Sequence, residues 1–227
     1  MATGPAQADY ALEYTKAPNK IFVIGNPSQY LGDLVQQSVC KREEWRRDFQ
    51  FENQFVVLYV GRLSPEKGLS TLFDALGKVY SKGICPVLVL AGSGPMESTL
   101  RREGARRGLK VVFAGFCQRE ELAQYYRTSD VFILPSESEP WGLVVNEAME
   151  FGLPVILSNQ VGSVPALLHE GMNGLSFPAG DPGALAQCIE RLAGDEALRK
   201  NMGEASAQIV KSQSIDSWCE AVVRAIK

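Results

Sequence analysis

The stretch VVLYVGRLSPEKGLSTLFDALGKVYS, at residues 56–81, decides the fold. Its first five residues are all apolar, which predicts a β-strand over 56–60 that is buried on both faces. A polar loop follows, and residues 67–81 then carry apolar side chains at helical spacing, namely Leu69, Leu72, Phe73, Leu76 and Val79. Because a strand buried on both faces needs covering layers on both sides, this unit predicts a sheet flanked by helices.

The same strand-loop-helix unit recurs along the chain. Apolar runs predict further strands over 87–91, 111–113, 131–134 and 154–157, and helical patterns follow them over 96–107, 120–127, 143–151 and 164–169. Helices between parallel strands form right-handed crossovers, so these units predict an α/β fold with a Rossmann-like, doubly wound parallel sheet. From residue 182 onward the pattern is helical only, and Asp181 with Pro182 has the residue types of an N-cap and a first helical turn.

The first fifty residues follow a different pattern. Residues 21–24 are apolar and predict one more strand, whereas residues 33–49 carry many charges and predict an exposed helix. Residues 1–20 give no firm prediction. The chain therefore divides into a segment over 1–50 and an α/β domain over 51–227.

Composition narrows the classes of partner. The 227 residues carry a formal charge of −3 and 45% are apolar, so a large core can form and no cationic excess is present to hold a nucleic acid. We therefore expect no nucleic-acid partner, although a few local cations suffice for a phosphate-bearing small molecule. The five cysteines are scattered without a C-x-x-C pair, which indicates reduced thiols rather than a disulfide framework or a zinc site.

The lengths of the apolar runs also indicate where in the cell the protein is expected. No stretch reaches the ~20 apolar residues that span a bilayer, and residues 1–20 lack the apolar segment of a secretory signal. We therefore expect a cytoplasmic protein, with peripheral contact at the inner membrane left open.

Candidate site residues follow the predicted strands, because ligands of an open parallel sheet bind beyond the carboxyl ends of its strands. After the first strand comes Gly61, and then Arg62 and Lys67 lie just before a helix N-terminus, which itself favours anions. An arginine can bind a phosphate through two hydrogen bonds, and a lysine adds a point charge. These residues predict a phosphate site, and a solvated loop with unrelated charges is the alternative.

Two further loops can approach a nucleotide. Gly92-Ser93-Gly94 follows the second predicted strand, but Glu97 stands where a dinucleotide fingerprint has its third glycine, so that fingerprint is absent. The turn either admits a base or ribose close to the backbone or is a bare turn. Phe116, after the third predicted strand, either lies against a nucleobase or packs on the domain.

The segment ESEPWGLVVNEAM, at residues 137–149, follows the fourth predicted strand. Glu139 ends a loop, and Gly142 lies where a helix begins, so the backbone there can come close to a phosphate. Glu147 lies about one turn into that helix among apolar residues. Its carboxylate is expected to be partly buried and to need hydrogen-bond donors such as a pair of sugar hydroxyls. A helix with one satisfied core glutamate is the alternative.

Seven segments, in this order, resemble the C-terminal, donor-binding domain of a GT-B glycosyltransferase of the retaining family 4 type. The resemblance covers roughly residues 55–194. The matching segments lie at 60–68, 91–95, 113–115, the E-x7-E motif over 139–147, 152–156, 171–174 and 180–181.

The resemblance implies a role for each matching residue. Arg62 and Lys67 would hold the donor diphosphate and stabilise the charge that develops on the leaving group. Glu139 would contact hydroxyls of the transferred sugar, and Glu147 would contact the ribose. The predicted catalytic residues are therefore Arg62, Lys67 and Glu139, and the predicted donor-binding residues are Gly61, Gly92, Ser93, Gly94, Phe116, Cys117, Trp141, Gly142, Leu143, Val144 and Glu147.

The resemblance also implies the reaction, which is retaining hexosyl transfer from a UDP- or GDP-hexose to a glycan or lipid-linked acceptor. Such enzymes need no metal and no other cofactor, because the two cations take the place of a metal, and no Asp-x-Asp metal motif is present.

A second Rossmann-like domain binds the acceptor in a GT-B enzyme, and residues 1–50 resemble only its end and the interdomain connection. We therefore expect this chain to supply the donor site and to transfer weakly or not at all without a missing N-terminal domain or a partner chain. The alternative is a non-catalytic nucleotide-sugar binding module that needs a partner chain.

The sequence departs from the family pattern at two places. Ala166 stands where an acidic residue usually follows the proline, and Gly162-Ser163 stands in place of a diglycine. We expect these departures to alter packing or donor detail rather than to abolish binding.

Overall fold

The structure is a computed structural model that describes residues 31–37, 41–211, 219–220 and 222–223. Its strands are β1 (Val56–Val60), β2 (Val87–Ala91), β3 (Lys110–Gly115), β4 (Val131–Leu134), β5 (Val155–Ser158) and β6 (Gly174–Phe177). Its main helices are α1 (Gly32–Gln37), α2 (Arg42–Asp48), α3 (Leu69–Ser81), α4 (Glu97–Arg107), α5 (Arg119–Thr128), α6 (Leu143–Glu150), α7 (Val164–Leu167), α8 (Pro182–Ala193) and α9 (Glu196–Val210). The strand predicted over 21–24 lies outside the described residues.

The strands form one parallel sheet in the order β3-β2-β1-β4-β5-β6. The chain leaves β1 toward β2 and β3, and then returns to place β4 on the other side of β1. This order confirms the predicted doubly wound, Rossmann-like sheet, and it creates a switch point between β1 and β4 where a crevice opens.

Burial explains why these segments become strands. Every residue of β1, β2, β4 and β5 is buried, because helices cover both faces of the sheet. On the outside, α3 packs against α8 and α6 packs against α9. The predicted N-cap of α8 is confirmed, since the Asp181 carboxylate accepts hydrogen bonds from the backbone N–H groups of Gly183 and Ala184.

The structure differs from the predicted secondary structure at three places. The sequence does not predict β6, because an edge strand with the sequence GLSF and an exposed Ser176 lacks a long apolar run. The helix predicted from residue 67 begins at Leu69, because Gly68 is left-handed at φ 65° and separates α3 from a 3-10 turn at Pro65–Lys67. The helix predicted over 33–49 is two helices, α1 and α2.

The prediction that this charged segment is exposed holds for most of α2 but not for Arg46. Arg46 is buried, and its guanidinium donates to the carbonyls of Thr128 and Phe51. Asp130 accepts from Arg46 at 3.2 Å and from Arg42 at 2.7 Å. The same carboxylate accepts from the N–H of Val56 at 2.8 Å, so this network joins α2 to the amino ends of β1 and β4.

Removal of the central acid tests this network. Asp130→Ala leaves two arginines without their carboxylate, one of them buried, so we expect the free energy of unfolding to fall by about 3–5 kcal/mol, the usual cost of breaking a buried ion pair. Urea denaturation measures this change. Glu97→Ala, which breaks the exposed pair with Arg101, is the control and is expected to cost less than about 1 kcal/mol. Equal losses for the two variants would contradict the structural role of Asp130.

Candidate functional site

The candidate site lies at the switch point, where the loop after β1 meets the loop after β4. The N–H of Glu137 donates to the carbonyl of Glu66 at 2.9 Å, which ties the two loops together. Gly68 lies directly against Pro135, since a Cβ added at Gly68 would stand 2.0 Å from the Pro135 carbonyl oxygen. Only glycine combines this close approach with the positive φ of 65° at residue 68. The two loops therefore form one fixed unit.

This contact brings two of the predicted catalytic residues together. The Nζ atom of Lys67 lies 2.7 Å from Oε2 of Glu139, and the two side chains are 20% and 15% exposed. The residues are far apart in the sequence, and they meet because β1 and β4 are neighbours in the sheet. Both charges are partly withdrawn from water, which makes the pair stronger than an exposed surface pair.

The third predicted catalytic residue, Arg62, is exposed, and it forms no ion pair within the part of the chain that the structure describes. Its backbone is fixed, because the hydroxyl of Tyr59 donates to the Arg62 carbonyl at 2.8 Å. Burial raises the pKa of Tyr59, and the negative charges of Glu139 and Glu66 raise it further. The tyrosine therefore stays neutral. Because the Arg62 guanidinium is exposed and has no ion-pair partner in the described residues, it is available to an anion at the mouth of the site.

A cleft of about 520 Å³ opens beside Arg62. Its walls include most of the predicted nucleotide contacts outside α6, namely Gly61, Arg62, Gly92, Ser93, Gly94, Phe116 and Cys117. Phe116 is 75% exposed at this cleft and does not pack into the domain. Cys117 is partly buried, and burial raises the pKa of its thiol.

Gly92 and Gly94, in the loop after β2, lie in close contact with the loop after β1. A Cβ at Gly92 would stand 1.9 Å from the Gly61 carbonyl oxygen, and a Cβ at Gly94 would stand 2.4 Å from the carbonyl oxygen of Leu63. The N–H of Leu63 also donates to the Ser93 carbonyl at 2.9 Å. Glycine is therefore required at these two positions because the loop after β1 lies so close to them. Their contact with a ligand stays a prediction.

The start of α6 faces the same region. Gly142 precedes the helix in a left-handed conformation at φ 85°, and a Cβ there would stand 2.9 Å from Cδ2 of Leu134. The first N–H groups of an α-helix have no partner within the helix, so residues 142–144 can present donors to an anion. Leu143 is half-exposed at this position, whereas Val144 is partly buried.

Trp141 has a packing role through its side chain. Its ring is buried, and its indole N–H donates to Oδ1 of the buried Asn146 at 3.2 Å. The Trp141 carbonyl accepts from the N–H of Ser163 at 3.2 Å. Any contact of Trp141 with a ligand would therefore involve its backbone.

Glu147 is buried in α6, as the sequence predicts. The hydroxyl of Tyr126 donates to Oε2 of Glu147 at 2.9 Å. Burial raises the pKa of Glu147, and the hydrogen bond from Tyr126 opposes that shift. Tyr126 is a residue that sequence reasoning misses, because it reaches the site from α5.

Glu150 is a second acid near Glu147 that sequence reasoning misses. Burial and the charge of Glu147 raise the pKa of Glu150 to about 7. Its Oε2 atom is buried and has no hydrogen-bond partner within the described residues. The i, i+3 spacing on α6 was the available signal, since residues three apart share a helix face.

The loop after β5 holds Glu139 from the other side. The N–H of Gly162 donates to the Glu139 carbonyl at 2.8 Å, and the Glu139 N–H donates to the carbonyl of Gln160 at 3.3 Å. A Cβ at Gly162 would stand 2.0 Å from the Pro140 carbonyl oxygen. At the second departure from the family pattern, Ser163 is buried next to this contact, and its hydroxyl has no partner among the described residues.

Two kinds of feature are absent from the described residues. No group of three His, Cys, Asp or Glu side chains in those ranges could hold a metal ion. None of the helices there is both long and apolar enough to cross a membrane.

Known proteins share sequence and fold with this chain. The family model described as glycosyl transferases group 1 matches residues 41–209. An uncharacterized glycosyltransferase of Methanocaldococcus jannaschii is 32% identical over 179 residues, which is 78% of this chain and 45% of that protein. The α-D-kanosaminyltransferase of Streptomyces kanamyceticus is 30% identical over 172 residues, which is 75% of this chain and 44% of that protein.

The solved structures agree on the fold. Anabaena HepE, crystallised in complex with UDP, matches with a TM-score of 0.86 at 24% identity, over 99% of this chain and 62% of that one. At this identity the likeness shows the fold. The chain spans about half the length of the curated relatives it matches.

The contact at Gly68 gives a prediction about stability. Gly68→Ala adds a Cβ against the Pro135 carbonyl at positive φ, whereas Gly108→Ala adds one at the same φ of 65° with nothing within 4 Å. We expect Gly108→Ala to cost about 1–2 kcal/mol from the backbone conformation alone, and Gly68→Ala to cost roughly 1–3 kcal/mol more from overlap. Urea denaturation of both variants gives the difference, and equal costs would contradict the tight contact between the loops.

The raised pKa of Glu150 gives a prediction about how the free energy of unfolding depends on pH. Its pKa in the folded protein, about 7, lies above its ordinary value of 4.5, so the folded state binds a proton that the unfolded state has already lost between these values. The contribution of Glu150 to the stability of the wild type should therefore fall as pH rises through this window. Glu150→Gln removes the titration, so its stability relative to the wild type should increase from about pH 5 to about pH 8.

The measurement is urea denaturation at several pH values. Glu204→Gln, at an exposed position on α9, is the control for the general effect of the loss of one acidic charge. A stability difference between Glu150→Gln and the wild type that does not change with pH would contradict the raised pKa of Glu150.

Proposed function

This chain belongs to the glycosyl transferases group 1 family, and from that premise we propose that it supplies the donor site of a retaining hexosyltransferase. The donor is a nucleoside-diphosphate hexose, and the acceptor is a glycan or a lipid-linked sugar. The observation that carries the proposal is the position of Lys67 and Glu139, which meet at the switch point of the sheet at 2.7 Å, while the cleft of about 520 Å³ opens at Arg62 of the same loop as Lys67.

The diphosphate is the part of the donor with the most support. Lys67 and the exposed Arg62 supply positive charge, and the start of α6 supplies backbone donors at Gly142 and Leu143. These groups approach the same crevice from the loops after β1 and β4. A diphosphate placed there receives charge-assisted hydrogen bonds from both sides.

The rest of the donor extends into the cleft and toward α6. Glu139 accepts hydrogen bonds from hydroxyls of the transferred sugar, and Glu147 accepts from the ribose. The exposed ring of Phe116 offers a face to the nucleobase beside Gly92. The UDP and UDP-glucose bound to Anabaena HepE support uridine nucleotides as the first donors to test.

The chemistry needs stabilisation of a departing diphosphate. As the bond between the anomeric carbon and the diphosphate oxygen breaks, negative charge builds on that oxygen, and Arg62 and Lys67 stabilise it without a metal. The acceptor hydroxyl gives its proton to the departing diphosphate oxygen, and its oxygen forms the new bond on the same face of the sugar, which retains the configuration. The acceptor itself binds to a second Rossmann-like domain, present in the same polypeptide or in a partner chain.

Calorimetric titration of the chain with UDP, GDP and ADP tests the donor site. We expect one nucleotide to bind preferentially, and Lys67→Ala to weaken its binding by roughly 10–100-fold, because charge-assisted hydrogen bonds contribute about 1.5–3 kcal/mol. Lys82→Ala is the matched control, since Lys82 forms a similar 2.8 Å ion pair, with Glu190, but at an exposed place on the surface. This control should bind the nucleotide as the wild type does.

The same titration tests the expectation that no metal is required. Addition of EDTA should leave the affinity unchanged. If Lys67→Ala bound every nucleotide as tightly as the wild type, the phosphate assignment would be wrong. If the wild type bound none of the three, the donor-site proposal would fail.

A further inference from the structure

We propose that Glu139 and the donor diphosphate compete for Lys67, so that the site holds an intact nucleotide-sugar more tightly than it holds the free nucleoside diphosphate. Glu139 then acts on specificity as well as on the sugar. The inference rests on the proposed function, because it requires the donor phosphates to bind at Lys67.

The geometry of the ion pair is the first argument. Lys67 Nζ and Glu139 Oε2 are 2.7 Å apart, and no other ion pair of either side chain is present in the described ranges. The ammonium group carries one positive charge, and Glu139 already neutralises it. A diphosphate that approaches Lys67 must therefore compete with the carboxylate for this charge.

The rigidity of the surrounding backbone is the second argument. The Glu137 N–H to Glu66 carbonyl bond fixes the loop of Lys67 against the loop after β4, and the Gly162 N–H to Glu139 carbonyl bond fixes Glu139. The loops cannot separate without loss of these bonds. Exchange of partners therefore takes place by rotation of the two side chains, while both backbones stay in position.

The electrostatics of the site is the third argument. Glu139 is only 15% exposed, so its charge is poorly screened by water once Lys67 has turned away. The charge of Glu139 already contributes to the raised pKa of the buried Tyr59 next to it. A diphosphate brings further negative charge to this place, and an unpaired Glu139 would repel it.

These arguments give different outcomes for the donor and for the product. When the intact donor binds, hydroxyls of the sugar donate to Glu139, and both Lys67 and Glu139 keep a partner. When only the nucleoside diphosphate is present, the displaced Glu139 has no sugar to accept from. Its return to Lys67 then favours departure of the nucleoside diphosphate after transfer.

The test compares Glu139→Gln with the wild type by calorimetric titration. The probes are UDP, GDP and ADP, followed by the glucose conjugate of the nucleotide that binds most tightly. Glutamine keeps the shape of the side chain and removes the competing charge, so we expect the free nucleoside diphosphate to bind roughly threefold to tenfold more tightly. The conjugate should gain no affinity, so the preference for conjugate over free diphosphate should fall.

Two further variants control the result. Glu137→Gln removes the same charge from the same loop, but no ion pair links Glu137 to Lys67 in the described structure, so its nucleotide affinities should change by less than about twofold. Glu139→Ala also frees Lys67 and should tighten binding of the free diphosphate in the same direction. This second variant guards against a new hydrogen bond from the glutamine amide. Thermal unfolding checks that each variant is folded.

The outcomes are separable from those of the proposed function. If the wild type binds a nucleoside diphosphate but neither Glu139 variant binds it more tightly, the competition is refuted and the donor site stands. An equal gain for Glu137→Gln would show a general charge effect and would also refute the competition. If the wild type binds none of the three nucleotides, the proposed function fails, and the competition fails with it.

Discussion

The contact between Gly68 and the Pro135 carbonyl is the constraint on which the candidate site depends. A side chain at residue 68 would overlap the Pro135 carbonyl, next to the place where the Glu137 N–H donates to the Glu66 carbonyl and joins the loops after β1 and β4. The contact exists because β1 and β4 are neighbours at the point where the sheet reverses its order. It brings a lysine and a glutamate that are distant in the sequence within hydrogen-bond distance. The chemistry proposed for this chain therefore begins with a backbone contact rather than with a charged group.

The same principle explains which parts of the site the sequence predicts. Apolar runs that are buried on both faces give β1, β2, β4 and β5, and parallel topology then predicts that the loops after them meet at one edge. The short distance between Lys67 and Glu139 cannot be predicted from the sequence, because that distance depends on the order of strands in the sheet. Tyr126 was missed for the same reason, since it reaches Glu147 from a neighbouring helix.

Other predictions failed or changed because packing overrides the local pattern. The charges of α2 indicate an exposed helix, but the Arg46 guanidinium is satisfied by backbone carbonyls and by Asp130, so the side chain is buried. The glycines at 92 and 94 suggest room for a ligand, whereas the structure shows that the loop after β1 already requires them. A glycine or a charged residue in a sequence thus indicates that the residue type at that position is constrained. Only the neighbours of that residue in the fold show what causes the constraint.

α1 and α2 are attached to the rest of the described structure by ion pairs and hydrogen bonds. Arg42 and Arg46 fasten α2 to the amino ends of the central strands through Asp130. The Val35 carbonyl accepts from Arg127 of α5, which fastens α1 to the layer of helices on the sheet. Where the structure describes them, α1 and α2 are therefore tied to the α/β domain at two separate points, one through Asp130 and one through Arg127.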